Sequence, residues 1–141
     1  MKQSFDILND IFDWCCSDTE LCELLGVDTS LTGVDQLKVQ NDKLRREYQT
    51  ADVIERKDIP FISYYFMHSE KSKNNWLVNI GDLYVDIYAD SMYTISQIAK
   101  RFREVVSSNM EILLNYEGQH YSGVDGVYKY RLIYNPLIDG E

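Results

Sequence analysis

Residues 83–106, Leu83-Tyr-Val-Asp-Ile-Tyr-Ala-Asp-Ser-Met-Tyr-Thr-Ile-Ser-Gln-Ile-Ala-Lys-Arg-Phe-Arg-Glu-Val-Val106, change hydrophobic period in one short step. From Leu83 to Asp90 the pattern alternates, with Leu83, Val85, Ile87 and Ala89 on one face and Tyr84, Asp86, Tyr88 and Asp90 on the other, which is the period of a strand. After Ser91 the period becomes helical, and Ile95, Ile98, Ala99, Phe102 and Val106 fall on one stripe. Thr94 with Gln97 forms a capping-box pattern at the start of that helix, and Asp90 and Ser91 are alternative caps. A strand that feeds a helix directly predicts that the helix folds back and buries its stripe on the Leu83–Ala89 face.

Outward from this unit the chain divides into three parts. Phe5, Leu8, Ile11, Phe12 and Cys15 recur at helical spacing, with Ile7 and Trp14 widening the face, and predict a helix from Ser4 to Cys16. Ser17-Asp-Thr-Glu20 reads as a capping box that opens a second short helix through Leu24 and Leu25, and Gly26 reads as its left-handed C-cap. Residues 27–59 are polar, with a turn-like Thr32-Gly33 and a stretch from Asp35 to Gln49 that predicts a loop and a marginal helix ordered by a partner. Residues 60–135 read as sheet plus helix. The expected strands are Phe61–His68 after Pro60, Trp76–Ile80, the Leu83–Asp90 strand after Gly81-Asp82, Met110–Tyr116 and Gly126–Tyr134. Ser69–Asn75 and Glu117–Asp125 are the expected loops. The whole predicts one α+β domain over residues 1–141: N-terminal helices, then a small antiparallel sheet with one long helix packed on it.

A formal net charge of −9 and a pI near 4.6 argue against a surface built to neutralise phosphates, so no specific nucleic-acid binding is expected. The dense basic run Lys43-Leu-Arg45-Arg46 is flanked by Asp42 and Glu47 and reads as a solvated helix face. Asp6, Asp10, Asp13, Asp18, Glu20 and Glu23 put much of the negative charge on the N-terminal helices. The first residues lack the basic start and cleavage site of a secretory leader, and no apolar run approaches about 18 residues, so the expected location is the cytoplasm, without a membrane partner.

Candidate chemistry is sparse. Asp86 and Asp90 share a strand face and Glu117 would have to approach from a neighbouring strand to build a metal-dependent hydrolase, but a half-solvated strand places polar residues there for no chemical reason. His68 and His120 read as a strand-end and a loop histidine. Cys15, Cys16 and Cys22 lack both disulfide spacing and a fourth zinc ligand, and neighbouring carboxylates should raise their thiol pKa, so they read as reduced core residues. Gly118, Gly123 and Gly126 lack the context of a phosphate cradle. No catalytic residue, cofactor or metal site is therefore expected. Tyr84 and Tyr88 on one strand face, and Tyr128, Tyr130 and Tyr134 on another, read either as core or as subunit contact, because tyrosine combines apolar area with a polar tip.

The strand–helix unit Val85-Asp-Ile-Tyr-Ala-Asp-Ser through Ile98-Ala-Lys-Arg-Phe-Arg-Glu, with the terminal strand Val127-Tyr-Lys-Tyr-Arg-Leu-Ile-Tyr-Asn, resembles the tail-completion or tail-terminator proteins of long-tailed bacteriophages. The resemblance covers roughly residues 60–135. It implies a noncatalytic virion structural protein that acts in the host cytoplasm during assembly and then at the head–tail junction. It also implies a ring of identical subunits, commonly six, whose partners are the tail tube and head-completion proteins. Arg45, Arg46, Tyr84, Tyr88, Tyr128 and Tyr130 are the candidate subunit-interface residues. A small cytoplasmic adaptor that captures one protein partner through its acidic helices is the alternative, with an enzyme built on Asp86, Asp90 and Glu117 as a third.

Overall fold

The computed structural model describes residues 2–71 and 78–139. The chain is α+β, and among the described residues it has four α-helices and a six-stranded sheet. Helices α1 (Ser4–Cys16) and α2 (Thr19–Leu24) come first, then α3 (Gly33–Lys43), which runs directly into the two-residue strand β1 (Leu44–Arg45). Two 3-10 turns, Ala51–Val53 and Arg56–Asp58, lead to β2 (Phe61–Lys71) and β3 (Val78–Ala89). Helix α4 (Met92–Asn109) then precedes β4 (Leu114–His120), β5 (Tyr128–Tyr134) and β6 (Leu137–Asp139).

The sheet order is β1-β2-β3-β5-β4, with β6 beside the first part of β3. Every described pairing is antiparallel except β1 on β2, where Leu44 lies opposite Ile62. The long β3 holds this together: β2 lies along one side, while β6 and then β5 share the other.

The core follows from the change of period at residue 90. Leu83, Val85, Ile87 and Ala89 are all fully buried, and they join Ile95, Ile98, Ala99, Phe102 and Val106 of α4 in one cluster. Val105 widens the buried stripe beyond the five expected positions. Of the expected caps Ser91 holds the position: its hydroxyl accepts from the Thr94 amide, so the helix starts at Met92 rather than at the Thr94–Gln97 box. Helix α1 has the expected bounds, and its Ile7, Leu8, Ile11, Phe12 and Cys15 enter the same cluster. The sheet face is thus covered by α1 beside β2 and by α4 over β3 and β5, with α2 bracing both helices, rather than by α4 alone. Asp18, not Ser17, caps α2 by accepting from the Leu21 amide at 2.9 Å. Gly26, at φ +79°, ends it with Val27 N–H on the Cys22 carbonyl and Gly26 N–H on that of Glu23, the paired bonds of a Schellman cap.

Several element boundaries differ from expectation. Ser69–Lys71 continue β2 rather than forming a loop, and residues 72–75 of the expected loop, with residues 76 and 77 of the expected Trp76–Ile80 strand, lie outside the described residues. The Gly81-Asp82 pair interrupts nothing: β3 runs through it, because the missing side chain at Gly81 leaves room for the Phe66 ring, 2.7 Å from where a Cβ would stand. The strand expected at Met110–Tyr116 is shifted to Leu114–His120, which draws Glu117, Gly118 and His120 out of the expected loop and into β4. Strand β5 begins at Tyr128 instead of Gly126, and β6 had no signal in its three residues. The basic run is not a helix face, since α3 stops at Lys43 and Leu44 is buried in the sheet. No helix among the described residues is long and apolar enough to cross a membrane.

Candidate functional site

The sheet face opposite the helices carries a cluster of buried charge. Strand pairing sets Asp86 beside Ser63 on one side and Arg131 on the other, with Lys129 two residues along β5. Asp86 is 0 % exposed. Arg131 grips it with two nitrogens, Nε to Oδ1 at 2.8 Å and Nη2 to Oδ2 at 3.3 Å, and the Tyr65 hydroxyl donates to Oδ2 at 2.7 Å. Lys129 Nζ stands 3.7 Å from Oδ2, and the Arg131 guanidinium lies 4.7 Å from the centre of the Tyr84 ring. Burial and then the donated bond to Asp86 push the Tyr65 hydroxyl well up. Burial pulls Arg131 down, but the hydrogen bonds and charge of Asp86 outweigh it and hold the guanidinium above its ordinary value. Burial also lowers Lys129, against the pull of Asp86.

Both carboxylate oxygens accept hydrogen bonds, one on Oδ1 and two on Oδ2, so Asp86 is the anion of a buried charge cluster. The other two members of the supposed carboxylate set lie elsewhere. Asp90 is exposed beyond the end of β3, and Glu117 pairs opposite Leu132, on the helix side of the sheet, where it bonds Arg103 at 3.0 Å. The expectation of a half-solvated Asp86 is also corrected, because the side chains of Tyr65, Lys129 and Arg131 lie against the carboxylate on its own sheet face and leave it 0 % exposed. Among the described residues no group of three or more His, Cys, Asp and Glu side chains is placed to hold a metal ion.

His68 lies within β2 instead of at its end, and His120 closes β4 with Nε2 3.1 Å from the Tyr116 hydroxyl. Burial, then Arg131 and Lys129, lower the His120 pKa. All three cysteines are free, and burial is the first cause that raises each thiol, Cys16 to about 12; the nearby carboxylates expected to do this are secondary. These thiols are poor nucleophiles at neutral pH.

The candidate contact residues separate. Tyr88 is fully buried, stacked on Phe61 with ring centres 4.7 Å apart, and offers a neighbour no surface. Tyr84 lies half-buried on the same face beneath Arg131. Tyr128 and Tyr130 belong to the helix side, with Tyr128 exposed and Tyr130 half-buried. Arg45 is engaged within the chain: it reaches Gln49, Asp42 and Asp58 and covers the Phe61 ring at 3.9 Å. Arg46 is exposed yet ties α1 to α3 by bonds to Asn9 and Asn41 over the Phe12 ring.

An open apolar surface lies at the β4 end of the sheet. Helix α4 packs mainly on β3 and β5 and reaches β4 through the Arg103–Glu117 pair, and a groove of about 660 Å³ lies between helix and edge strand. Its floor is Ile95, Ala99, Ile112, Leu114, Tyr130 and Tyr134, and Lys100, Arg103, Glu104 and Glu117 stand on its rim. Burial raises Tyr134 to about 12, and burial followed by Glu117 raises Tyr130. Strand β4 has a partner on one side, β5, and contains neither Pro nor Lys to discourage a second strand. The tyrosine alternation hinted at this site through Tyr130; Ile112 and Leu114 carried no signal, because they line the groove only through the shift of β4.

Comparison with protein-family models and with curated proteins finds no match to this chain.

Proposed function

We propose that this chain is a noncatalytic structural subunit of the head–tail junction of a long-tailed bacteriophage, capping the tail tube as a ring of identical copies. The observation that carries the reading is the asymmetric open flank: an apolar groove and a strand edge with no second partner among the described residues at the β4 end, with a different surface, α3 and β1, at the other end of the same sheet. Unlike flanks at opposite ends of a sheet suit head-to-tail contact, and a head-to-tail contact that closes by rotation builds a ring. The buried charge of the molecule accords with the same reading, since Asp86, Arg131 and Tyr65 bond one another across three neighbouring strands of the sheet. The charge of −9 suits a protein past which DNA must move without adhering.

The test is the mass of the purified chain by sedimentation at increasing concentration, with and without purified tail tubes. A closed oligomer, alone or on the tube ends, is the expected result. A monomer at every concentration that ignores tail tubes, together with normal virions when the gene is deleted, would leave the adaptor reading ahead.

A further inference from the structure

Helix α3 buries the fewest residues of the four described α-helices. Gln40 is its one buried residue, while Val34 is 69 % and Leu37 is 48 % exposed, one turn apart on the same side. A polar helix of this length draws its stability from packing rather than from propensity, so an outward apolar pair on a helix that buries so little is a surface awaiting a partner. Its chain neighbours are β1 and β2, at the end of the sheet opposite the groove.

Resting on the ring reading above, we propose that the occupant of the α4–β4 groove is α3 of the adjacent copy, with Val34 and Leu37 set on the Ile95, Ile112, Leu114 and Tyr130 floor. Two arguments favour a second copy. The surfaces lie on opposite flanks, so each subunit offers one of each and every contact in a ring is satisfied in the same way. The charges also agree. Asp35, Lys38, Asp42 and Lys43 on α3 sum to zero, as do Lys100, Arg103, Glu104 and Glu117 at the groove, so two chains each carrying −9 meet here without like-charge opposition. The α1 helix, with its exposed Phe5, is the competing occupant, but Asp6, Asp10 and Asp13 would bring net negative charge to a neutral rim.

The test uses full-length chains in sedimentation, with urea midpoints confirming that each variant folds. The double variant Val34→Glu, Leu37→Glu blocks α3, and Ser107→Trp independently fills the groove. Each should weaken association about tenfold or more, the scale for losing a central apolar anchor. Mixed in equal amounts, the two variants retain one good contact between them and should form pairs but nothing larger. Wild-type assembly with an unaffected α3 variant, or loss of assembly on Phe5→Ser instead, would overturn this contact and leave the ring reading standing. A variant mixture that fails to pair would overturn it too. A wild-type chain that stays monomeric and does not join tail tubes would overturn both.

Discussion

Replacing Asp86 tests the reading of the buried charge as a structural pin. In Asp86→Ala, Arg131 and Lys129, with side chains only 16 % and 10 % exposed, are left as adjacent cations without their anion, and the Tyr65 hydroxyl loses its acceptor. Breaking a buried pair by removing one partner costs about 3 to 5 kcal/mol, and an unsatisfied hydroxyl adds about 1 kcal/mol or more. Partial escape of Arg131 to water reduces this, so about 4 kcal/mol is the expected loss. With a urea slope of about 2 kcal/mol per molar, the midpoint should fall by about 2 M at unchanged slope. Arg131→Met should cost less, because Lys129 and Tyr65 stay on the carboxylate. If the fold is lost in the alanine variant, Asp86→Asn, which keeps an acceptor for Tyr65, measures the same pin at smaller cost. An unchanged midpoint for Asp86→Ala, or a larger loss for Arg131→Met, would refute the reasoning.

Phe102→Ala should cost about 3 to 5 kcal/mol, seen as a lower denaturation midpoint, since the ring is fully buried between α4 and the Leu83–Ala89 face. Asp18 caps α2 and bonds Arg101, which depresses its pKa below the ordinary value. Its contribution is therefore complete above the unfolded-state pKa and is lost as pH falls through the lower folded value. Asp18→Asn keeps the cap, so wild type should exceed it by about 1 kcal/mol at neutral pH, after solvent screening of a partly exposed pair, with the gap closing below about pH 4 in acid titrations of stability. Iodoacetamide at pH 8 should modify the native chain far more slowly than the urea-unfolded chain, because burial raises all three thiols; equal rates would contradict that packing.

The sequence by itself determined the elements whose periodicity is strong and local. The Leu83–Ala89 alternation, the stripe from Ile95 to Val106, the bounds of α1 and the glycine stop at Gly26 all follow from side-chain spacing along a single element, and so does the α+β class. Tertiary structure decided whatever depends on which strands become neighbours. Asp86 reads the same in sequence whether it faces water or Arg131, because the pairing of β3 with β5 joins residues 45 positions apart. Arg45 and Arg46 look like a solvated run until α3 ends at Lys43 and turns them onto Phe61 and Phe12. The groove has the same origin. Its floor comes from α4, β5 and the segment entering β4, none of which carries a groove signal alone, and it exists because the helix is centred on β3 and β5 and reaches the edge strand only through side chains such as Arg103.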